Sequence, residues 1–237
     1  MAIHLVGETI DAKRAHLRAQ SGELTQLVRG VYVDSDGDAE TAILGHAVRI
    51  THYLYPNAYL SSASAVLLAA TPDGRIFISG RRNQRTRLRT LEIVQNEASP
   101  HPSTAIATIG DDLGELRIDV SSPRQRFPEA FRLRSEHASA VTADMRTQMA
   151  ARLVEECGSP QAAADAVWAL ARENVWYREG EGAERFLLAR PGTAKAPVNK
   201  AALDLLVAWH VSTRLDREVP SPRGWAFVTR HLQQGRI

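Results

Sequence analysis

The 237 residues, 44% hydrophobic and 24% charged, have the make-up of a folded globular chain with room for one large or two modest domains. No run approaches the ~18 apolar residues of a membrane span, the N-terminus lacks the basic-then-apolar layout of a signal peptide, and the single Cys157 excludes an internal disulfide and any multi-cysteine zinc site, so the expected compartment is the cytoplasm and no membrane partner is expected. A net charge of +2 is too small to mark the whole chain as a polyanion binder; with only Lys13, Lys195 and Lys200 as lysines, contact with phosphates has to come from clustered arginines.

In chain order, residues 1–38 form a first zone. Residues 11–20 read as a short helix with Ile10, Leu17 and the alanines on one face and Lys13, Arg14 and Arg18 on the other. The following stretch, Ser21-Gly-Glu-Leu-Thr-Gln-Leu-Val-Arg-Gly-Val-Tyr-Val33, reads as a β-hairpin: Leu24, Leu27 and Val28 pack inward, Gly30 supplies the bend with Arg29 beside it, and Val31-Tyr-Val33 is β-branched and aromatic. Ser35-Asp-Gly-Asp38 is a turn that ends on a helix-capping aspartate.

Residues 39–134 form the second zone. One amphipathic helix is expected over 39–54, ended by Pro56. A short strand then leads into a helix over 61–70 that Ser61 or Ser62 caps. After the Pro72-Asp-Gly74 turn come strands at 75–79, 88–95, 104–109 and 116–120, the last two joined by the compact loop Asp111-Asp-Leu-Gly114. The third zone, 135–190, is helical over 140–156 and 160–173, where Ser159 caps and Pro160 takes the first helical position. Gly180 to Gly182 and Ala189 to Val198 read as loop or linker, before a last helix over 200–210 within a C-terminal segment, 191–237. The fold class is α/β in the α+β sense, with a small mixed sheet and a helical C-terminal part.

Two cationic features carry chemistry. Gly80-Arg-Arg-Asn-Gln-Arg-Thr-Arg-Leu-Arg89 holds Arg81, Arg82, Arg85, Arg87 and Arg89 with no acid among them, a run suited to bidentate phosphate contact from a loop or hairpin. Lys13, Arg14 and Arg18, with Arg29 at the hairpin turn, occupy a helix directly before a hairpin, the place of a recognition helix before its wing. No catalytic, metal or cofactor site is expected. The lysines all lie outside the strands, which excludes a Glu-x-Lys nuclease pair, and Glu92 and Asp119 read as solvent-facing or paired strand residues. His46 and His52 are six apart, too far to share a helix face, and no nucleophile elbow or phosphate-cradling loop occurs. Cys157, next to Glu155 and Glu156, lacks the electropositive neighbour of a reactive thiol.

The order of these pieces resembles the abortive-infection E antitoxin (AbiEi-like) family over roughly residues 11–158. The hairpin, Tyr59-Leu-Ser-Ser-Ala-Ser-Ala-Val66 and Ser121-Ser-Pro-Arg-Gln-Arg-Phe-Pro-Glu129 look like its wing, its serine-alanine helix start and its later acid-bearing segment. That resemblance implies an N-terminal winged helix-turn-helix joined to an α/β antitoxin domain. It implies a non-enzymatic regulator whose partners are promoter or operator DNA and a cognate toxin. The serines would cap helices, and Arg124 or Arg126 would hold Glu129 in an ion pair. Only ten residues precede Asp11, so the winged helix is abbreviated. The alternative reading is the N-terminal regulatory or DNA-binding module of a larger toxin or enzyme, ending in a HipA-like kinase or a Fic-like transferase.

Overall fold

Alternation of β-branched and polar residues builds the first layer. In the computed structural model, which describes residues 2–133 and 135–189, β1 (Ile3–Leu5), β2 (Leu24–Val28) and β3 (Val31–Asp34) form an antiparallel sheet in the order β1-β3-β2. Ile3, Leu5, Val31 and Val33 point to one face, while Tyr32 on the other packs with Ile10, Ala15 and Leu24 under α1 (Ala12–Gln20). Asp11 caps α1 by accepting from the Arg14 amide at 2.9 Å. Leu17, expected inside, is 54% exposed. At about 100° per residue it lies nearly opposite Ala15, and a sheet of three short strands covers only one narrow stripe of the helix.

The helix expected over 39–54 is divided at His46 (φ −106°, ψ 17°) into α2 (Ala39–Gly45) and α3 (Ala47–Leu54). Gly45, the poorest helix former after proline, stands at the break. Ala42, Ile43, Ala47, Val48 and Ile50 are buried between the small sheet on one side and Leu60, Ile76, Ile78, Leu91, Ile93, Ile118 and Val120 on the other.

Those last residues belong to a six-stranded sheet made of β4 (Tyr59–Leu60), β5 (Arg75–Gly80), β6 (Gln84–Leu88), β7 (Leu91–Glu97), β8 (Thr104–Asp111) and β9 (Gly114–Ser121), ordered β6-β7-β5-β4-β9-β8. The expected strand at 88–95 is instead two, β6 and β7, joined at Arg89-Thr90 by a hairpin that pairs Leu88 with Leu91. The arginine run hides the β6 pattern: Gln84, Thr86 and Leu88 turn inward while Arg85 and Arg87 turn outward, the period of two of an edge strand. The β8–β9 hairpin closes where expected, with Asp111 paired to Gly114.

The opposite face of this sheet carries α4 (Ser62–Leu67), α5 (Pro123–Glu129), α6 (Glu136–Ser139), α7 (Ala143–Cys157), α8 (Pro160–Glu173) and α9 (Tyr177–Leu188). Phe127, Leu153, Ala163, Ala164, Val167 and Leu187 form their common core. Gly180 and Gly182, expected in a loop, lie inside α9. A Cβ at Gly180 would press on Ala171 and the Trp168 ring, and one at Gly182 on Phe131, so the glycines let α9 approach its neighbours. Ser159 caps α8 as expected, at 3.1 Å from the Ala162 amide. Residues through Leu187 cluster as one unit; the expected linker and helix within 191–237 lie outside the described residues.

Serines at the start of α4 do not cap it. The Ser61 hydroxyl lies 3.2 Å from His137 Nδ1, Ser62 donates to the His137 carbonyl, and Ser64 accepts from the Phe77 amide at 2.9 Å. Glu129 is buried as well, held by the Gln125 amide at 2.9 Å, while Arg126 donates to the Ala65 carbonyl at 2.8 Å. The expected arginine–Glu129 ion pair is therefore replaced by a neutral partner. Burial pushes the Glu129 carboxyl up to about 7 and the His137 imidazole down to about 4. The raised Glu129 pKa means that its protonated form suits the fold. Its contribution is full below the ordinary value of 4.5 and is lost as pH rises through about 7. Glu129→Gln should accordingly gain stability over the native chain between pH 5 and pH 8, by up to ~3 kcal/mol, read as a widening gap between urea midpoints. A constant gap would refute the burial argument.

Candidate nucleic-acid interface

Helix α1 is held against the small sheet by Ala15 and Ala19, which leaves its other side to solvent. Along that side run Lys13, Arg14 and His16, all exposed, with Leu17 between the first two in projection. Arg29 is exposed at the β2–β3 turn, where Gly30 adopts φ +83°. Tyr53 of α3 fills the space beside Gly30 and donates its hydroxyl to the Val6 carbonyl at 2.9 Å. The turn is thereby seated on a buried helix. Lys13, Arg14 and Arg29 have no carboxylate within ion-pairing distance among the described residues.

Arg18 is placed differently. Its Nε donates to Glu23 at 2.9 Å and its Nη2 lies 3.8 Å from Asp34. Asp34 also accepts from His4 Nε2 and from the Ala2 amide, each at 2.8 Å. Burial pushes the Asp34 carboxyl up, and the bonds from His4 and Ala2 with the charge of Arg18 more than reverse this, leaving it below the ordinary carboxylate value. Arg18 thus ties α1 to β3.

The arginine run separates by the pleat. Thr86 stands opposite Ile93, whose side chain meets α2 and α3, and the Thr86 hydroxyl lies 2.5 Å from that of Tyr55 on the same side. Arg85 and Arg87 stand opposite Val94 and Glu92 on the other face. Arg85 pairs with Glu92 at 3.3 Å and with Glu136, and Arg87 with Glu92 at 2.9 Å. The two are therefore turned away from the layer that holds α1. Arg81 and Arg82 are exposed before β6, Arg82 donating to Gln84 at 2.6 Å, and Arg89 is exposed in the turn after it with φ +50°.

No family model and no curated protein matches this chain.

Two groupings that sequence reading missed join residues more than sixty positions apart. Arg49, buried on α3, donates to Asp111 through Nε at 2.8 Å and Nη2 at 2.7 Å, and to the Gly114 carbonyl at 2.6 Å. The hydrogen bonds from Arg49 hold the Asp111 carboxyl below its usual range. Beside it, His46 Nε2 lies 2.5 Å from Asp112 Oδ1. Among the described residues, His46, Asp111 and Asp112 are the group whose donor atoms converge closely enough to hold a metal ion, all within 4.8 Å of one another. The local hints were the Gly45-His46 break and the paired aspartates of the turn; neither points to the other. The Ser61–His137 pair has no carboxylate on the second ring nitrogen among the described residues, and Ser61 is fully buried beneath it with Phe77 edge-on at 4.8 Å. It joins α4 to α6.

The division of cations has a direct consequence for stability. Arg18→Ala should lower the urea midpoint by the equivalent of ~0.5–1 kcal/mol, as expected for a half-exposed ion-pair network, while Lys13→Ala and Arg14→Ala should shift it by less than ~0.5 kcal/mol. Equal losses for all three would mean that Lys13 and Arg14 are structural.

Proposed function

We propose that this chain is a non-enzymatic DNA-binding regulator of the antitoxin type, which engages duplex DNA through α1 and the β2–β3 turn. The observation that carries the reading is the set of exposed cations without an acid partner among the described residues, Lys13, Arg14 and Arg29, on a helix followed directly by a hairpin. In a winged-helix arrangement the helix enters the major groove and the hairpin turn lies along the backbone. Lys13 and Arg14 would reach phosphates or guanine edges, and Leu17 between them offers an apolar contact for a thymine methyl group. Arg29 would contact phosphate and hold the register. Arg81, Arg82 and Arg89 are a second cationic set, outside β6, that supplies further phosphate contact. A cognate toxin is the protein partner in this reading, and the uncharged outer strand β8, from Thr104 to Gly110, is a surface suited to it.

The test is a salt titration of binding to a duplex taken from upstream of the chain's own gene and to a random duplex of equal length. Lys13→Ala, Arg14→Ala and Arg29→Ala together should reduce the slope of log affinity against log salt by up to ~0.9 for every phosphate that the protein no longer neutralises. Arg14→Ala alone should narrow the preference for the upstream duplex by ~1–3 kcal/mol where it reads a guanine. Arg85→Ala and Arg87→Ala, on the far face, should leave the slope unaltered. Indifference of the native chain to both duplexes would reject the reading.

A further inference from the structure

We propose that His46, Asp111 and Asp112 form a binding site for a divalent transition-metal ion, which pins the tip of the β8–β9 hairpin to the junction of α2 and α3.

Geometry selects these three. His46 is 8% exposed, and its Nδ1 lies 3.0 Å from the Ala42 carbonyl, an oxygen that can only accept. Nδ1 therefore carries hydrogen, and the ring's lone pair is left on Nε2, aimed at Asp112 Oδ1 at 2.5 Å. Two acceptors cannot face each other at that separation without an electrophile between them. A proton serves, and so does a metal cation. A backbone carbonyl that fixes the tautomer of an outward-facing imidazole is also the usual support of a histidine metal ligand.

The third donor is held ready. Asp111 Oδ1 accepts from Arg49 Nη2 and the Leu113 amide, but among the described residues Oδ2 accepts only from Arg49 Nε, which leaves one of its two lone pairs free of them. Arg49 thus locks the carboxylate in place without filling it. Asp112, with its side chain 62% exposed at the hairpin turn, has room to move outward and admit an ion with bonds of ~2.0–2.2 Å to nitrogen and oxygen. Two carboxylates face one guanidinium, which leaves a site of net negative charge. One imidazole nitrogen with two carboxylate oxygens, open to solvent on the Asp112 side, suits zinc, manganese, cobalt or nickel; calcium and magnesium prefer oxygen alone.

The experiment is calorimetric titration of the tag-free chain, stripped with chelator, with zinc and manganese, and absorbance titration with cobalt. One equivalent should bind per chain with micromolar or tighter affinity, and saturating zinc should raise the melting temperature. Asp112→Asn, at an exposed turn that the core does not depend on, should weaken binding about tenfold or more; His46→Gln should do the same, with circular dichroism showing whether it folds. His52→Gln and His101→Gln should change nothing. Failure to bind at 1 mM, binding that survives Asp112→Asn undiminished, or calcium binding as strongly as zinc would each overturn the proposal.

Discussion

The burial of α2 and α3 between two sheets is the constraint on which the rest of this fold depends. A helix that is apolar toward one layer has a polar face to give to water; α3 is enclosed on both sides, so its remaining polar groups have to find partners within the protein. Each one that does so anchors a different element. Tyr53 reaches the Val6 carbonyl and the Gly30 turn, Tyr55 meets Thr86 on β6, and Arg49 takes Asp111 and Gly114 at the end of the β8–β9 hairpin. A stretch of about ten residues from His46 to Tyr55 thereby orients the hairpin turn that carries Arg29, one sheet edge and the opposite hairpin tip.

That arrangement also decides which cations are available to a partner. The arginines that have acids beside them are consumed in ion pairs within the fold: Arg18 by Glu23 and Asp34, Arg75 by Asp73 and Glu136, Arg85 and Arg87 by Glu92. Among the described residues, Lys13, Arg14, Arg29, Arg81 and Arg89 have no such acid beside them. Formal charge along the sequence ranks the 81–89 run as the strongest feature, because five positive side chains fall together there. The pleat of β6 reverses that ranking by sending Arg85 and Arg87 to the face away from α1, where carboxylates wait. The weaker-looking cluster on α1 keeps its charge free. The proposed interface therefore rests on fewer cations than the sequence suggests: Arg29 on a turn seated against α3, and Lys13 and Arg14 on a helix held to the outer face of the small sheet.

What the sequence made legible was the local part. The α1 helix, the Gly30 turn, the Asp38 cap, the β8–β9 hairpin and the Ser159–Pro160 helix start all follow from signals within a few residues of one another, and all are present. Misreadings occurred wherever a distant contact overrode a local preference. Gly180 and Gly182 resemble a loop until Trp168, Ala171 and Phe131 are placed against them; Ser61 and Ser62 resemble caps until His137 arrives from 75 residues away. For the His46–Asp112 and Arg49–Asp111 pairs nothing local joined the two ends, since a side chain on a helix and a turn 62 to 66 residues later share no spacing rule. Helical periodicity over 39–54 was real, but it could not reveal that the same stripe pattern serves two sheets.

The polar interior behind the six-stranded sheet follows from the same economy of space. Tyr59, Gln125 and Glu129 sit in series, with the Gln125 amide donating to the Tyr59 hydroxyl at 2.8 Å and to Glu129 at 2.9 Å, while the Ser103 amide donates to Gln125 Oε1 at 2.5 Å. Burying such groups costs stability relative to an apolar core of equal volume unless each finds its partner. What the network supplies is direction: an apolar α5 could slide or rotate on the sheet, whereas Gln125 satisfies Tyr59, Glu129 and the Ser103 amide together in one placement only. The Ser122 cap and Pro123 start α5 at a defined residue, and the Gln125 bonds then set its rotation. Because α7 and α8 share the Phe127 core with α5, the orientation chosen by one amide side chain is passed to the helical layer as a whole.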